Sequence, residues 1–197
     1  MNAHPTIPGL YILSNFIDDV EEEKLKRGAS GGTWDSVGGN PVKSRRIQHY
    51  GYRYNYKSRS VTEKDYLGSL PEWSNPIEER IKEIPIIKDL QSKGPNQLIV
   101  NEYKPGQGIA WHTDAKSFGD PIVTLSTCGS CIFEMKDADG NITELFLKPR
   151  TLVVMSGESR WEWQHRIPGR GVDRFDNDDH IRHTRISFTY RWVPENK

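Results

Sequence analysis

From residue 96 onward the chain is one short strand-like segment after another, and this constrains its fold more than any other feature. The segments read QLIVNEY, IAWHTD, PIVTLST, CIFEM, ITELFLK, TLVVMS and HTRISFTYRW, parted by turn signals such as KPGQG, ADGN and KPR. Segments this short bury too little apolar surface to stand alone, so they must pair and close upon one another. Nothing in the run repeats, which leaves an all-β sandwich or jelly roll as the expected architecture over residues 96–193. The stretch IPGRGVDRFDNDDHIR, charged and glycine-containing, is read as the one long loop.

Residues 1–95 mix helix and strand signals. Asp18 followed three residues later by Glu21 has the form of a capping box and predicts a short helix through about Arg27. PIEERIKEI predicts a second helix after Pro76. Between them, IQHYGYRYNYKSR has period 2 and predicts a strand with Tyr50, Tyr52, Tyr54 and Tyr56 on one face. Trp34 and Trp73 are expected to serve packing. At 197 residues the chain is expected to form a single domain, 1–197.

Composition narrows the setting. No apolar run approaches the roughly 18 residues of a membrane span, and MNAHPTIPGLYIL lacks the basic start and long apolar stretch of a secretory signal. The two cysteines form CGSC between two strand-like runs, with no second pair to complete a zinc site. They are expected to sit in a tight turn as two small buried thiols. An intracellular protein, cytoplasmic or nuclear and monomeric, is the resulting expectation. Net charge is zero, but residues 41–62 contain no acid while carrying Lys43, Arg45, Arg46, Arg53, Lys57 and Arg59. A basic stretch interleaved with tyrosines suits contact with phosphates and stacking of an unpaired base. It equally suits a half-buried strand with its arginines in solvent.

The last segment poses a chemical question. In TRISFTYRW, Arg185, Ser187, Thr189 and Arg191 share one side, while Ile186, Phe188, Tyr190 and Trp192 share the other. Six residues of strand span about 20 Å, and two arginines leaning inward leave a gap of the order of a small dicarboxylate. A forked guanidinium at each end would hold such an acid. Asn101 and Tyr103 of QLIVNEY share one face and offer neutral hydrogen bonds. The plainer alternative is an amphipathic edge strand with both arginines in water.

In IAWHTD, His112 and Asp114 are two apart and leave a strand on the same face, as two ligands of one metal must. One more imidazole completes the 2-His-1-carboxylate set that keeps coordination positions open in non-haem Fe(II) oxygenases. His165, His180 and His183 are all candidates, and spacing does not choose among them.

Together, NEYKPGQGIAWHTD, TLVVMSGESRWEWQH and RISFTYR resemble the AlkB family of Fe(II) and 2-oxoglutarate-dependent dioxygenases. The NxYxxG, HxD, distal His after a GESR turn and RxxxxxR follow in the family's order. IPGLYILSNFID and RRIQHYGYRYNY are similar, more loosely, to its first strand and nucleotide-recognition lid. The resemblance implies a mainly β fold with flanking helices: a double-stranded β-helix (jelly roll) core over 96–193, with helices and the lid in 1–95. It implies iron on His112, Asp114 and His165, and 2-oxoglutarate on Asn101, Tyr103, Arg185 and Arg191, with Ser187 where some members carry Asn. Arg191 would meet the iron-side carboxylate, the aspartate ligand or both. His183 would then be a strand neighbour.

The implied reaction consumes 2-oxoglutarate and O2, releases succinate and CO2, and demethylates or hydroxylates a nucleobase in RNA or DNA. Arg46, Tyr50, Tyr52, Tyr54 and Lys116 are the expected substrate contacts. Lys116 stands where the family's bacterial repair enzyme has an acid, which removes that enzyme's acidic base contact. The segments SRRIQHYGYRYNY, NEYKPGQGI and RISFTYR look most like the AlkB-type domain of tRNA wobble-uridine hydroxylases. A protein or lipid substrate, and a non-catalytic metal-binding jelly-roll module, are the alternatives.

Overall fold

The computed structural model describes residues 2–37 and 44–194; Lys43 of the basic stretch lies outside the described residues. Fourteen strands are present among them: β1 (Asn2–Ala3), β2 (Leu10–Leu13), β3 (Asp35–Ser36), β4 (Arg46–Tyr50), β5 (Gln97–Tyr103), β6 (Ile109–His112), β7 (Ile122–Thr127), β8 (Cys131–Lys136), β9 (Ile142–Leu147), β10 (Leu152–Met155), β11 (Gln164–Ile167), β12 (Val172–Phe175), β13 (Asp178–Ile181) and β14 (Arg185–Arg191). Four α-helices accompany them: α1 (Asp19–Ser30), α2 (Asn75–Lys82), α3 (Pro85–Leu90) and α4 (Glu158–Trp161). An eight-stranded sheet in the order β1-β2-β10-β7-β14-β5-β4-β3 faces a four-stranded sheet in the order β6-β11-β8-β9. Every pairing is antiparallel, as in a jelly roll.

The two faces of the large sheet meet different neighbours. On the outer face Leu98, Val100, Val123, Leu125, Phe188 and Tyr190 join Leu25 and Ala29 of α1 and Ile77 and Ile81 of α2 in one apolar cluster. Phe188 is fully buried there, a burial that stabilises by about 1.5–3 kcal/mol. On the inner face Ile122, Val153 and Met155 pack against Phe133, Met135, Leu145 and Leu147 of the small sheet. β14, central in the large sheet, is therefore buried along its whole length, polar side included.

Local signals explain the helices. The Asp18 side chain accepts from the Glu21 backbone N–H at 2.8 Å, and the Glu21 carboxylate accepts from that of Asp18 at 3.0 Å. That capping box satisfies two of the donors a helix start leaves open. The helix expected after Pro76 is present as α2; α3, which follows it, was not anticipated, and each has proline in its first turn.

Three expectations need correction. The stretch read as one long loop contains the β12–β13 hairpin, because Asp176 and Asn177 both adopt positive φ (50° and 68°) and so make the tight turn a two-residue hairpin requires. The CGSC turn does join β7 to β8, but only Cys131 is buried; Cys128, at φ 68°, is exposed. The tyrosine segment is not one strand with one face. Gly51, at φ 76°, ends β4, and the chain continues through isolated bridges at Tyr52–Tyr66 and Asn55–Ser60. Tyr50 consequently packs edge-on against Trp73 at 5.6 Å on the helix side, while Tyr54 packs against Phe118 at 5.6 Å within the inner cluster.

Gly51 has no room for a side chain: a Cβ would lie 1.9 Å from the Asn96 carbonyl oxygen. Positive φ and the clash together predict that Gly51→Ala loses about 2–4 kcal/mol of stability. An unchanged midpoint in urea unfolding would contradict that account of the break.

Candidate active site

Between the two sheets lies a cavity of about 410 Å³ whose wall includes His112, Asp114, His165, Asn101, Tyr103, Arg185, Ser187 and Arg191. Register brings them together. Arg185 lies opposite Tyr103 and Ser187 opposite Asn101 across β14 and β5, and paired residues point to the same face. His165 on β11 lies opposite His112 on β6. Asp114 falls two residues beyond His112, just past the end of β6, so the two sheets contribute the cavity from opposite sides.

His112, Asp114 and His165 offer three ligand atoms within 4.8 Å of one another. The imidazole centroids are 4.2 Å apart, and His165 Nε2 is 3.7 Å from Asp114 Oδ2. His112 Nδ1 lies 2.9 Å from the Ala110 carbonyl oxygen, to which it donates in the tautomer that frees Nε2. The Phe133 ring stacks on His165 at 5.2 Å. Burial, above all, depresses both histidines: His112 falls below its ordinary value, and His165 is lowered to about 3 with the help of neighbouring positive charge. Both are therefore neutral near pH 7, the state in which imidazole binds metal. Burial opposes the charge on Asp114, but Arg191 first, then His165, His112 and Arg160, outweigh it and hold its carboxyl well below the usual range. Two neutral imidazoles and one carboxylate beside an open cavity form a donor set that fits a divalent transition metal.

The two arginines of β14 do different things. Arg191 donates from Nε and Nη2 to Asp114 Oδ1, at 3.0 and 2.6 Å, and from Nη1 to Gln97 Oε1 at 3.3 Å. Each of its three guanidinium nitrogens is thus bonded within the protein. Arg185, 3% exposed, donates from Nη2 to Ser126 Oγ at 2.8 Å, while its Nε and Nη1 have no partner among the described residues. Leaving such donors unpaired costs about 1–3 kcal/mol or more, so their presence at a cavity wall points to a bound anion.

The other expected residues are spread more widely. Arg46 forms a two-pronged pair with Glu102, at 2.8 and 2.7 Å, and stacks over Trp34 on the face opposite the cavity. Its neighbour Arg45 reaches the cavity instead and donates to Asn101 Oδ1 at 2.8 Å. Tyr54 lines the cavity, as do Tyr56 and Arg59; Tyr50 lies against Trp73, and Tyr52 against Tyr66. Lys116 is exposed and is not part of the wall. His180 packs on Phe146 at 4.3 Å and His183 lies beside Gly129, so neither joins the metal-ligand group found among the described residues. Sequence reasoning named Arg45 only as one of a basic stretch and did not single out Phe118. Arg45 was legible: it is in phase with Ile47, which lies opposite Asn101.

Comparison with known proteins shows the family. The 2OG-Fe(II) oxygenase superfamily matches residues 19–191, and the chain belongs to it. Among its relatives is the alkylated DNA repair protein ALKBH8 homolog of Arabidopsis thaliana, 36% identical over 98% of this chain and 60% of that protein. The mouse tRNA (carboxymethyluridine(34)-5-O)-methyltransferase ALKBH8 is 36% identical over 84% of this chain, but only 25% of that protein is covered. This chain thus spans 60% of the first relative's length and a quarter of the second's. The structure of OsALKBH1 superposes with a TM-score of 0.68 at 17% identity, over 94% of this chain and 97% of that one. It shares the fold. No described helix is long and apolar enough to cross a membrane.

His49, behind the Tyr56 ring at 6.0 Å, is half-buried, and both its ring nitrogens are enclosed with no hydrogen-bond partner among the described residues. Burial lowers it from 6.5 to about 4. The unfolded chain therefore takes up this proton first as pH falls, and the stability His49 confers is complete above about pH 6.5 and lost toward pH 4. His49→Leu is expected to make the acid limb of the stability curve shallower over that range. An identical slope, from urea melts at each pH, would contradict the assignment.

Proposed function

We propose that this chain is an Fe(II)- and 2-oxoglutarate-dependent dioxygenase that oxidises a modified or alkylated nucleobase in RNA or DNA. The observation that carries the reaction class is the buried Arg185, two of whose three guanidinium nitrogens have no partner among the described residues, on the wall of the cavity that holds the His-Asp-His cluster. His112, Asp114 and His165 would hold the iron. Arg185 would take a carboxylate of 2-oxoglutarate, with Tyr103, Asn101 and Ser187 around it. Once bound, the iron lets oxidative decarboxylation of 2-oxoglutarate with O2, giving succinate and CO2, drive oxygen insertion into a substrate C–H bond.

The chain's own task is positioning and protection. Arg191 holds the carboxylate ligand in one orientation, and the Phe133 ring shields one face of His165 from water. Toward the cavity mouth, Tyr54 and Tyr56, 4.8 Å apart and edge to face, stand with Arg45 and Arg59. Aromatic rings beside guanidinium groups suit an extruded base and the phosphates next to it. This supports residues 45–59 as the lid of one catalytic unit spanning 1–197, with the basic contacts at Arg45 and Arg59 and the aromatic contacts at Tyr54 and Tyr56. The names of the two relatives, which concern alkylated DNA repair and a tRNA uridine, support the same substrate class.

Arg185→Ala is expected to raise the KM for 2-oxoglutarate about 10–100-fold, as loss of charge-assisted hydrogen bonds implies. Succinate release by the Fe(II)-loaded protein measures it. Mass spectrometry of nucleosides from methylated DNA, RNA and tRNA substrates reads the second half of the proposal, with a modified nucleoside expected to be consumed. Bound metal with no 2-oxoglutarate turnover on any substrate would contradict the reading.

A further inference from the structure

Outside the ligand group, the most deeply buried charge near the site is Arg160 of α4, 2% exposed. Among the described residues it has no carboxylate partner at hydrogen-bond distance. Its guanidinium instead donates to four backbone carbonyls of one loop: Nη1 to Asp114 at 3.1 Å, Nη2 to Ala115 at 2.8 Å and Phe118 at 2.9 Å, and Nε to Gly119 at 3.2 Å. Burial works against the charge and lowers its pKa, while the Asp114 carboxylate works to keep it protonated. The face of the guanidinium rests on the Trp161 ring, 4.0 Å from its centroid.

The loop these carbonyls belong to, residues 114–120, is the one that carries the carboxylate ligand. Without Arg160, buried acceptors in it would lie unpaired. The same loop carries Phe118, whose ring lies 4.8 Å beneath the Arg191 guanidinium and 5.6 Å from Tyr54. Two further bonds tie the α4 turn to the loop's end: Gly157 N and Trp161 Nε1 both donate to Asp120 Oδ2, at 2.9 and 3.1 Å.

We infer that Arg160 is a positioning residue for the metal centre, which fixes Asp114 through its peptide carbonyl while Arg191 fixes it through its carboxylate. A planar group with five N–H donors can span four carbonyls of a tight loop, and an ammonium cannot. Arg160 also sets the height of Phe118, and so ties the metal loop to the Tyr54 wall of the cavity. The inference rests on the proposed metal site.

The experiment is Co(II) titration of the full chain, followed by visible absorption, with thermal unfolding of the metal-free protein alongside. Arg160→Lys is expected to weaken Co(II) binding about 10–100-fold, the range typical for groups that orient metal ligands. Arg182→Lys is the comparison: Arg182 is likewise buried and bonds Asp173 and the Pro168 carbonyl, away from the metal loop. It is expected to lower the melting temperature with Co(II) affinity unchanged. Should Arg160→Lys fail to fold, Trp161→Leu removes the ring under the guanidinium from a partly exposed position, and a several-fold loss of Co(II) affinity is expected. Wild-type affinity in the folded Arg160 variant, or in the Trp161 variant when that one stands in, would overturn the inference. Equal loss in Arg182→Lys would overturn it too. A wild-type chain that takes up no Co(II) would instead overturn the proposed function, and this inference with it.

Discussion

The buried pair between Arg191 and Asp114 is the interaction on which the site depends. A carboxylate desolvated to this degree is costly unless a charge and hydrogen bonds offset it, and Arg191 supplies both in a two-donor contact. The contact is possible because β14 is central in the large sheet, where its polar face looks inward across the sandwich to the loop after β6. Breaking one partner would strand the other, so strand, loop and ligand cluster stand or fall together.

The same strand explains why the cavity is polar at all. Its other face, Ile186, Phe188 and Tyr190, is sealed against α1 and α2, which fixes the register and leaves Arg185, Ser187, Thr189 and Arg191 no orientation but inward. Of the two buried guanidinium groups, one is satisfied by the protein and one is not. That asymmetry separates holding a ligand residue from holding a ligand. The small sheet then brings His112 and His165 across from it, with Phe133 behind the second ring.

Much of this was legible in the sequence because it rests on short periodicities. Alternation in TRISFTYRW assigned both faces of β14, and QLIVNEY gave β5 residue for residue. Asp18 and Glu21 announced the start of α1. What was not legible depends on single backbone conformations or on partners distant in sequence. The period-2 pattern of the tyrosines runs unbroken through Gly51, yet positive φ there turns Tyr50 to the helices and leaves Tyr54 with the inner cluster. Neither the exchange of roles between Arg45 and Arg46, which turns on Glu102 and Asn101, nor Arg160's grip on four carbonyls has a local signature. His165, one of three candidates by spacing, is singled out by its cross-strand pairing with His112.

The central claim, that the spare donors of Arg185 receive a carboxylate of 2-oxoglutarate chelated to a metal on His112, Asp114 and His165, is tested most directly by crystallography. Crystals grown with Mn(II) and 2-oxoglutarate without O2 should show an anomalous peak among those three side chains and a carboxylate on Arg185 Nε and Nη1. Metal elsewhere, or 2-oxoglutarate bound away from Arg185 with those donors still unpaired, would contradict the account.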